Sequence, residues 1–208
     1  MVPVGNKMEL RVKGPNVTPG YLKRDDLTEK AFDEEGFYLI GDAGRLVDPS
    51  DPSRGIDFDG RVVENFKLLT GTWVDVGSLR LAVVNSCAPL FQDGLVTGHD
   101  KNYLGFLAWP NMEACKKFID QEIETHEILE HPLLKEEIKK RIMIHNKNFS
   151  GSSTKIKKLI LLSTPPSFDN NEITDKGYVN QSSALAAREN LVNKLYDDSS
   201  NDEEVIVI

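Results

Sequence analysis

The chain of 208 residues carries 33 Asp and Glu against 25 Lys and Arg, a net charge of −8, with 39% hydrophobic residues. That balance excludes a nucleic-acid partner held by a basic stripe, and it is the composition of an ordinary globular protein with ample length for a core. Two cysteines outside any Cys-x-x-Cys pair (Cys87 and Cys115), no charged or apolar leader in Met1–Gly5 and no apolar run of membrane-spanning length give a reducing cytoplasm, without a membrane partner, as the expected setting.

From the N-terminus, Lys7 to Lys13 alternates. Met8, Leu10 and Val12 point one way and Glu9, Arg11 and Lys13 the other, the pattern of a half-buried strand. Gly14-Pro15 ends it, and Pro19-Gly20 makes the next turn. Asp25-Asp26 caps a predicted helix over Leu27–Phe32, closed by Gly36. Two short strands, Phe37–Ile40 and Arg45–Val47, are expected around a Gly41-Asp42-Ala43-Gly44 turn. After the Pro- and Asp-rich loop Asp48–Gly55, a strand covers Ile56–Phe58. Asp59-Gly60 then reads as a tight turn that delivers Arg61 to an extended segment. Thr70-Gly71 reads as a second turn, returning the chain through Thr72-Trp73-Val74. Sixty residues of small strands and turns are too few to close a β-unit alone.

Beyond this point the pattern becomes mixed α and β. Val76–Leu90 suits a helix stopped near Pro89, and Leu95–Thr97 with Tyr103–Trp109 flank the Gly98–Asn102 turn as a second hairpin. Glu113–Glu124 is expected to be helical, with Cys115, Phe118 and Ile119 inward. Pro132 opens a longer helix at the position where its missing N–H costs nothing. Along it, Leu134, Ile138, Ile142 and His145 fall on one face, and Glu136-Glu137 precede Lys139-Lys140-Arg141 as the macrodipole favours. Gly151-Ser152-Ser153 breaks the chain before a strand over Ile156–Leu162. The Pro165–Asn171 loop and Lys176 come next, then a helix over Ser183–Tyr196 with Leu185, Val192 and Leu195 buried. The acidic stretch Asp197–Glu204 is expected to be mobile, with Val205–Ile208 able to dock as an edge strand. The Lys-rich runs 139–141 and 155–158 are offset by neighbouring acids and read as solvated faces.

Three segments in this order carry a resemblance. They are GPNVTPGYLKRDDLTEKAF (Gly14–Phe32), Tyr38-Leu39-Ile40-Gly41-Asp42, and Gly60-Arg61 followed six residues later by Lys67. Together they resemble the C-terminal motifs of the adenylate-forming acyl-CoA synthetases: a GPxVxxGYxxxxxxTxxAF segment, an aromatic-x-x-Gly-Asp turn and a Gly-Arg-x-x-x-x-x-Lys hinge. The wording FKLLTGTWVDVGSLR, VTGHD and SFDNNEITDKGYVNQ is most similar to feruloyl-CoA synthetases within that group. The resemblance covers essentially the whole chain. It implies that the phosphate-gripping loop and acyl pocket of such enzymes lie upstream of every segment present.

For individual residues the resemblance implies roles that local chemistry permits. Asp42 would accept hydrogen bonds from the ribose diol of the nucleotide, although alone it reads as a turn aspartate. Arg61 would use its guanidinium fork on ribose or phosphate oxygens; alone it is a strand-edge arginine. Lys176 would reach the reacting carboxylate and α-phosphate, where negative charge builds; alone it is a surface lysine. The hinge falls at Val63 and Glu64, where the family usually has Asp or Lys, and the spacing from there to Gly71 is one residue longer than the commonest form. Thr70, Gly71 and Thr72 would line the pantetheine path, small residues letting it pass closely. Ile40 stands where the family usually has Thr, and Asp175 where it usually has Gly.

No metal site is expected among His99, His126, His131 and His145, because no third ligand stands at a ligand spacing. Neither cysteine has a base beside it. The expected fold is α/β of the α+β type. Residues 1–61 would be the β-rich end of a large N-terminal AMP-binding domain, and residues 62–208 the small, mobile C-terminal lid. As part of an intact enzyme, the chain would serve ATP-dependent ligation of CoA to an aromatic carboxylate, with ATP, CoA and Mg bound mainly by the absent N-terminal domain. By itself it reads as a catalytically incomplete fragment, a separately encoded lid or a gene remnant.

Overall fold

The computed structural model describes residues 1–4, 7–62, 64–120, 124–174, 176–199 and 202–208, without the side chains of residues 125 and 126. These residues form two compact units, Met1–Asn65 and Phe66–Ile208. Residues 62–65, expected in the second domain, fall in the first unit.

The first unit is a four-stranded antiparallel sheet in sequential order: β1 (Val2–Val4), β2 (Lys7–Val12), β3 (Tyr38–Leu46) and β4 (Ile56–Arg61). A short helix, α1 (Asp25–Ala31), lies between β2 and β3, starting two residues earlier than expected with Asp25 and Asp26 in its first turn and not at the cap. Two expected turns are strand instead. Phe37–Ile40 and Arg45–Val47 belong to the single strand β3, and the Gly41–Gly44 segment is absorbed as a bulge between Asp42 and Gly44. Gly41, at φ +77°, takes up the irregularity. Asp59-Gly60 does not turn either: β4 runs straight through it to Arg61.

The alternation of β2 is present, but the covered face is the charged one. Lys7 and Glu9 are buried, whereas Met8 and Val12 face solvent. Glu9 is held by the Arg11 guanidinium (Nε–Oε2 2.8 Å), which also reaches Asp33. Ile56 and Phe58 of β4 are exposed as well, and Leu22 is 90% exposed. Among the described residues, Ala43 is the unit's one fully buried apolar side chain, and several larger ones face solvent.

The second unit is built differently. A two-stranded ribbon, β5 (Phe66–Lys67) and β6 (Trp73–Val74), leads into α2 (Val76–Ser86), whose first turn is capped by the Asp75 carboxylate accepting the Ser78 N–H at 3.3 Å. Helix α2 stops at Ser86, short of Leu90, because β7 (Phe91–Thr97) begins four residues earlier than expected. Then come β8 (Leu104–Pro110), α3 (Met112–Ile119), α4 (Thr125–Glu130), α5 (Pro132–Asn148), β9 (Ile156–Leu161), α6 (Gln181–Ala187), α7 (Glu189–Tyr196) and β10 (Val205–Val207). The sheet order is β10-β9-β8-β7, with β8 and β9 parallel and both outer pairs antiparallel.

Strand β8 is buried at all seven positions, as a central strand covered on both faces should be. Period-2 geometry sorts the two faces. Val96, Phe106 and Leu159 pack with Leu79, Val83, Leu134, Ile138 and Ile142 of α2 and α5. Leu95, Leu107 and Ile160 pack with Ala184 and Leu195 of α6 and α7. Leu134, Ile138, Ile142 and His145 are buried along α5 as their spacing predicts.

Several helix limits differ from those expected. Helix α3 ends at Ile119 with Asp120 in the left-handed region, and Phe118 is 41% exposed, not inward. The expected Ser183–Tyr196 helix is two helices that meet at Arg188. The described part of the acidic tail is tied down, not loose. Asp198 pairs with Lys158, and Asp202 and Glu204 pair with Lys194. Strand β10 then closes the edge of β9, as expected for Val205–Ile208.

Gly94 of β7 sits in close contact with β8. A Cβ there would lie 2.2 Å from Phe106 Cε1 and 2.8 Å from the Leu107 carbonyl oxygen. Gly94→Ala is expected to destabilise the second unit by about 1–3 kcal/mol, the range for overpacking. Urea unfolding should show a lowered midpoint at constant m; an unchanged midpoint would show that the strand can open at no cost.

Candidate functional site

In the first unit Asp42 and Arg61 are direct cross-strand partners on β3 and β4. The Arg61 Nε lies 3.1 Å from Asp42 Oδ1, with both side chains partly open to solvent. The Val62 amide donates to the Gly41 carbonyl at 2.8 Å, closing the ladder one residue beyond β4. The carboxylate is thus oriented by a guanidinium through one oxygen, which leaves lone pairs free to accept from a diol. A half-exposed pair of this kind adds little to stability; its value is geometric.

Beyond Arg61, Val63 lies outside the described residues. The Asn65 amide donates to the Val62 carbonyl at 3.3 Å, closing a turn that carries half-buried Glu64. Thr70, Gly71 and Thr72 form the turn between β5 and β6. The Gly71 amide donates to the Leu68 carbonyl at 2.8 Å, and the two threonine hydroxyls are 3.1 Å apart. Gly71 is required by its φ of +81° and not by crowding, since a Cβ added there would meet nothing within 4 Å. The ribbon is braced from outside by Leu69 N–H donating to Lys101 O and Asp100 N–H donating to Lys67 O.

Lys176 stands at the tip of a small hairpin. Ile173 and Val179 bridge antiparallel, the Thr174 amide donates to Tyr178 O at 2.8 Å, and the Gly177 amide donates to Thr174 O at 2.9 Å. Gly177 takes φ +81° to complete the turn. Asp175 lies outside the described residues. Lys176 is exposed, so its ammonium is delivered outward on a short, closed support.

The base of that hairpin is a buried charge cluster that no sequence spacing announces. Glu172 is 3% and Arg188 7% exposed, and Arg188 Nη1 donates to Glu172 Oε2. The same oxygen accepts the Ser167 N–H at 3.1 Å. Arg188 Nη2 donates to the Thr164 and Pro165 carbonyls, and the guanidinium lies 5.0 Å from the Trp109 ring centroid. An acid and a base 16 residues apart in a polar stretch read as surface groups; only the helix break at Arg188 could have drawn attention to them.

His145 is buried in α5 with Nε2 3.0 Å from Thr154 O and Nδ1 3.3 Å from Ser86 Oγ. His99 is exposed beside Asp100, His131 joins α4 to α5, and the His126 side chain lies outside the described residues. Among the described residues no group of three or more His, Cys, Asp or Glu is arranged to hold a metal ion, and no helix is long and apolar enough to cross a membrane.

Residues 65–200 match the family model described as the AMP-binding enzyme C-terminal domain. The chain belongs to this family. Its relatives are adenylate-forming acyl-activating enzymes. The probable acyl-activating enzyme 16 of Arabidopsis thaliana is 25% identical over 94% of this chain. The adenylation domain of a carboxylate reductase from Mycobacterium chelonae is similar over 91% of the chain, at 26% identity and TM-score 0.71. The corresponding domain from Segniliparus rugosus, solved in complex with AMP and a co-purified carboxylic acid, is similar over 92% at 26% identity and TM-score 0.70. The chain spans 28% of the length of each of these three proteins. The mixed α/β architecture is that of the adenylation fold, and both units of this AMP-binding-enzyme segment fall within the similarity.

Within this segment both cysteines are free and buried. Burial pushes the Cys87 thiol up to about 12 and the Cys115 thiol up to about 11, so the thiolate that would react is suppressed. A disulfide reagent such as Ellman's, applied to the native chain at pH 8, should label neither, with two thiols appearing only in denaturant. Labelling of one thiol within minutes in the native state would contradict this burial.

Proposed function

We propose that this chain is the C-terminal part of an ATP-dependent acid–thiol ligase. Residues 1–61 would belong to its N-terminal AMP-binding domain and residues 62–208 would form the lid. The observation that carries the reading is the ordered presence of an Asp42–Arg61 pair, an Asn65 amide bonded to the Val62 carbonyl where the first compact unit ends, and Lys176 at an exposed hairpin tip. The uncovered apolar side chains of the first unit, Met8, Val12, Ile56 and Phe58, support a larger N-terminal body packed on them.

In this reading Asp42 accepts the two ribose hydroxyls of ATP while Arg61 orients it. Lys176 neutralises charge between the attacking carboxylate and the α-phosphate as pyrophosphate leaves. The lid then turns about Val63 and Glu64, withdrawing Lys176, and the Thr70–Thr72 turn lines the approach of the thiol to the acyl-adenylate. The described residues offer no donor set for Mg, which would be held with the triphosphate by the N-terminal part. The acid is proposed to be aromatic and of the feruloyl type, from the wording around the lid turns, with CoA as acceptor and a reducing, cytoplasmic setting.

A second acceptor has its own support. The relatives include a long-chain-fatty-acid–[acyl-carrier-protein] ligase of Arabidopsis thaliana, 24% identical over 94% of this chain. A carrier-borne thiol is therefore the alternative to free CoA. A chain used alone as a separately encoded lid, or left as a catalytically incomplete fragment, is the reading of a different class.

Lys176→Ala in the intact enzyme separates the roles. Pyrophosphate release should slow by about 2–4 kcal/mol of barrier, as for other groups that stabilise charge at the reacting centre. Transfer from pre-made acyl-adenylate to the thiol should stay within a few-fold. Equal loss in both steps, or in neither, would return Lys176 to a surface lysine.

A further inference from the structure

We propose that the buried Glu172–Arg188 ion pair is a positioning device that fixes the direction of the Lys176 hairpin; the inference rests on the role given to Lys176 above. Glu172 is the last residue before the hairpin rungs begin. Its amide donates to Ser167 O, and its carbonyl accepts the Asn180 N–H at 2.8 Å, so it forms the bottom rung. Lys176 follows one short strand later, at the tip. Arg188, at the junction of α6 and α7, grips the Glu172 carboxylate and at the same time the carbonyls of Thr164 and Pro165 at the start of the loop. Trp109 of β8 lies under the guanidinium and donates its indole N–H to Thr164 O at 2.9 Å. One guanidinium thus ties the loop's entry, the hairpin base, the helix junction and the central strand.

At its base the hairpin is packed: Val179 is buried in the cluster that holds Leu107, Trp109 and Leu162. Its inner side, through Ile173, Gly177 and Val179, lines a cavity of about 570 Å³ whose other wall includes Trp109, Leu162 and Pro165. Tyr178 is 69% exposed. Packing at Val179 fixes one point of the base, while the cavity beside Ile173 and Gly177 leaves the direction of the tip to the second point, the rigid, planar fork of the arginine on Glu172. Two charges withdrawn from water hold together strongly in one geometry and are costly to leave unpaired. That suits a lever whose tip must meet a developing charge within a fraction of an ångström.

The test uses Glu172→Gln, which keeps the shape and removes the charge, with Arg188→Lys as a milder variant that keeps the charge and loses the fork. Amide exchange of the chain should show Thr174, Gly177 and Asn180 exchanging at least about 10-fold faster, with Leu95 and Leu107 in β7 and β8 unchanged. In the intact enzyme, adenylation should fall about 10- to 100-fold while transfer from pre-made adenylate is kept. Combined with Lys176→Ala, either variant should add no further loss, because the lever then has nothing at its tip. Unchanged hairpin amides, equal loosening of β7 and β8, or a loss that multiplies with that of Lys176→Ala would each overturn the proposal. If the hairpin loosens but Lys176→Ala alone leaves adenylation intact, the lysine assignment is the part that fails, and the pair is structural only.

Discussion

The interaction on which the second unit's functional geometry depends is the Arg188 guanidinium seated on Trp109 and closed onto Glu172. Desolvating two opposite charges is tolerated only where the groups around them make up most of the lost hydration. Here the fork reaches the carboxylate and two loop carbonyls, and the Ser167 amide supplies the second bond to the carboxylate. The Arg188 Nε is buried without a hydrogen-bond partner among the described residues, so the two Nη atoms carry the whole connection. The break between α6 and α7 follows from the same demand. Arg188 leaves helical geometry at φ −118°, ψ 28°, and its side chain is buried in place of pointing along a continuous amphipathic face.

Around that anchor the second unit builds apolar clusters on both faces of its sheet. Residues from α2 and α5 and from α6 and α7 cover opposite faces of one sheet, and alternate residues of β7, β8 and β9 serve each face. The first unit buries Lys7 and Glu9 while Met8, Val12, Ile56 and Phe58 stay outside. Those exposed apolar side chains are where the proposed larger body would pack, and the chain spans 28% of its first relative's length.

How much of this was legible in sequence depended on whether the signal was local. The α5 face, the Gly98–Asn102 hairpin and the β10 edge strand were readable from spacing and turn residues. The Gly-Asp turns were misread because glycine marks a bulge as readily as a turn: Gly41 and Gly60 both take positive φ inside strands. Met8, Leu10 and Val12 carried the period of β2 correctly but not the covered side, because Lys7 and Glu9 are the ones turned inward. Asp42, Arg61 and Lys176 were singled out by family wording alone, and the structure adds that two of them are bonded and the third stands on an anchored hairpin. Glu172 and Arg188 were missed, as a pair joined only by tertiary packing must be.

In the proposed enzyme Asp42, beside Arg61, would accept from the ribose, and Lys176, on its hairpin, would meet the reacting phosphate. The most direct measurement is a crystal structure of the intact enzyme with a non-hydrolysable acyl-sulfamoyl adenosine. The account predicts both ribose hydroxyls donating to Asp42 and Lys176 Nζ within about 3 Å of an oxygen flanking the sulfamoyl linkage, with Glu172 and Arg188 still paired. An adenosine held without Asp42, with Lys176 in solvent, would contradict it.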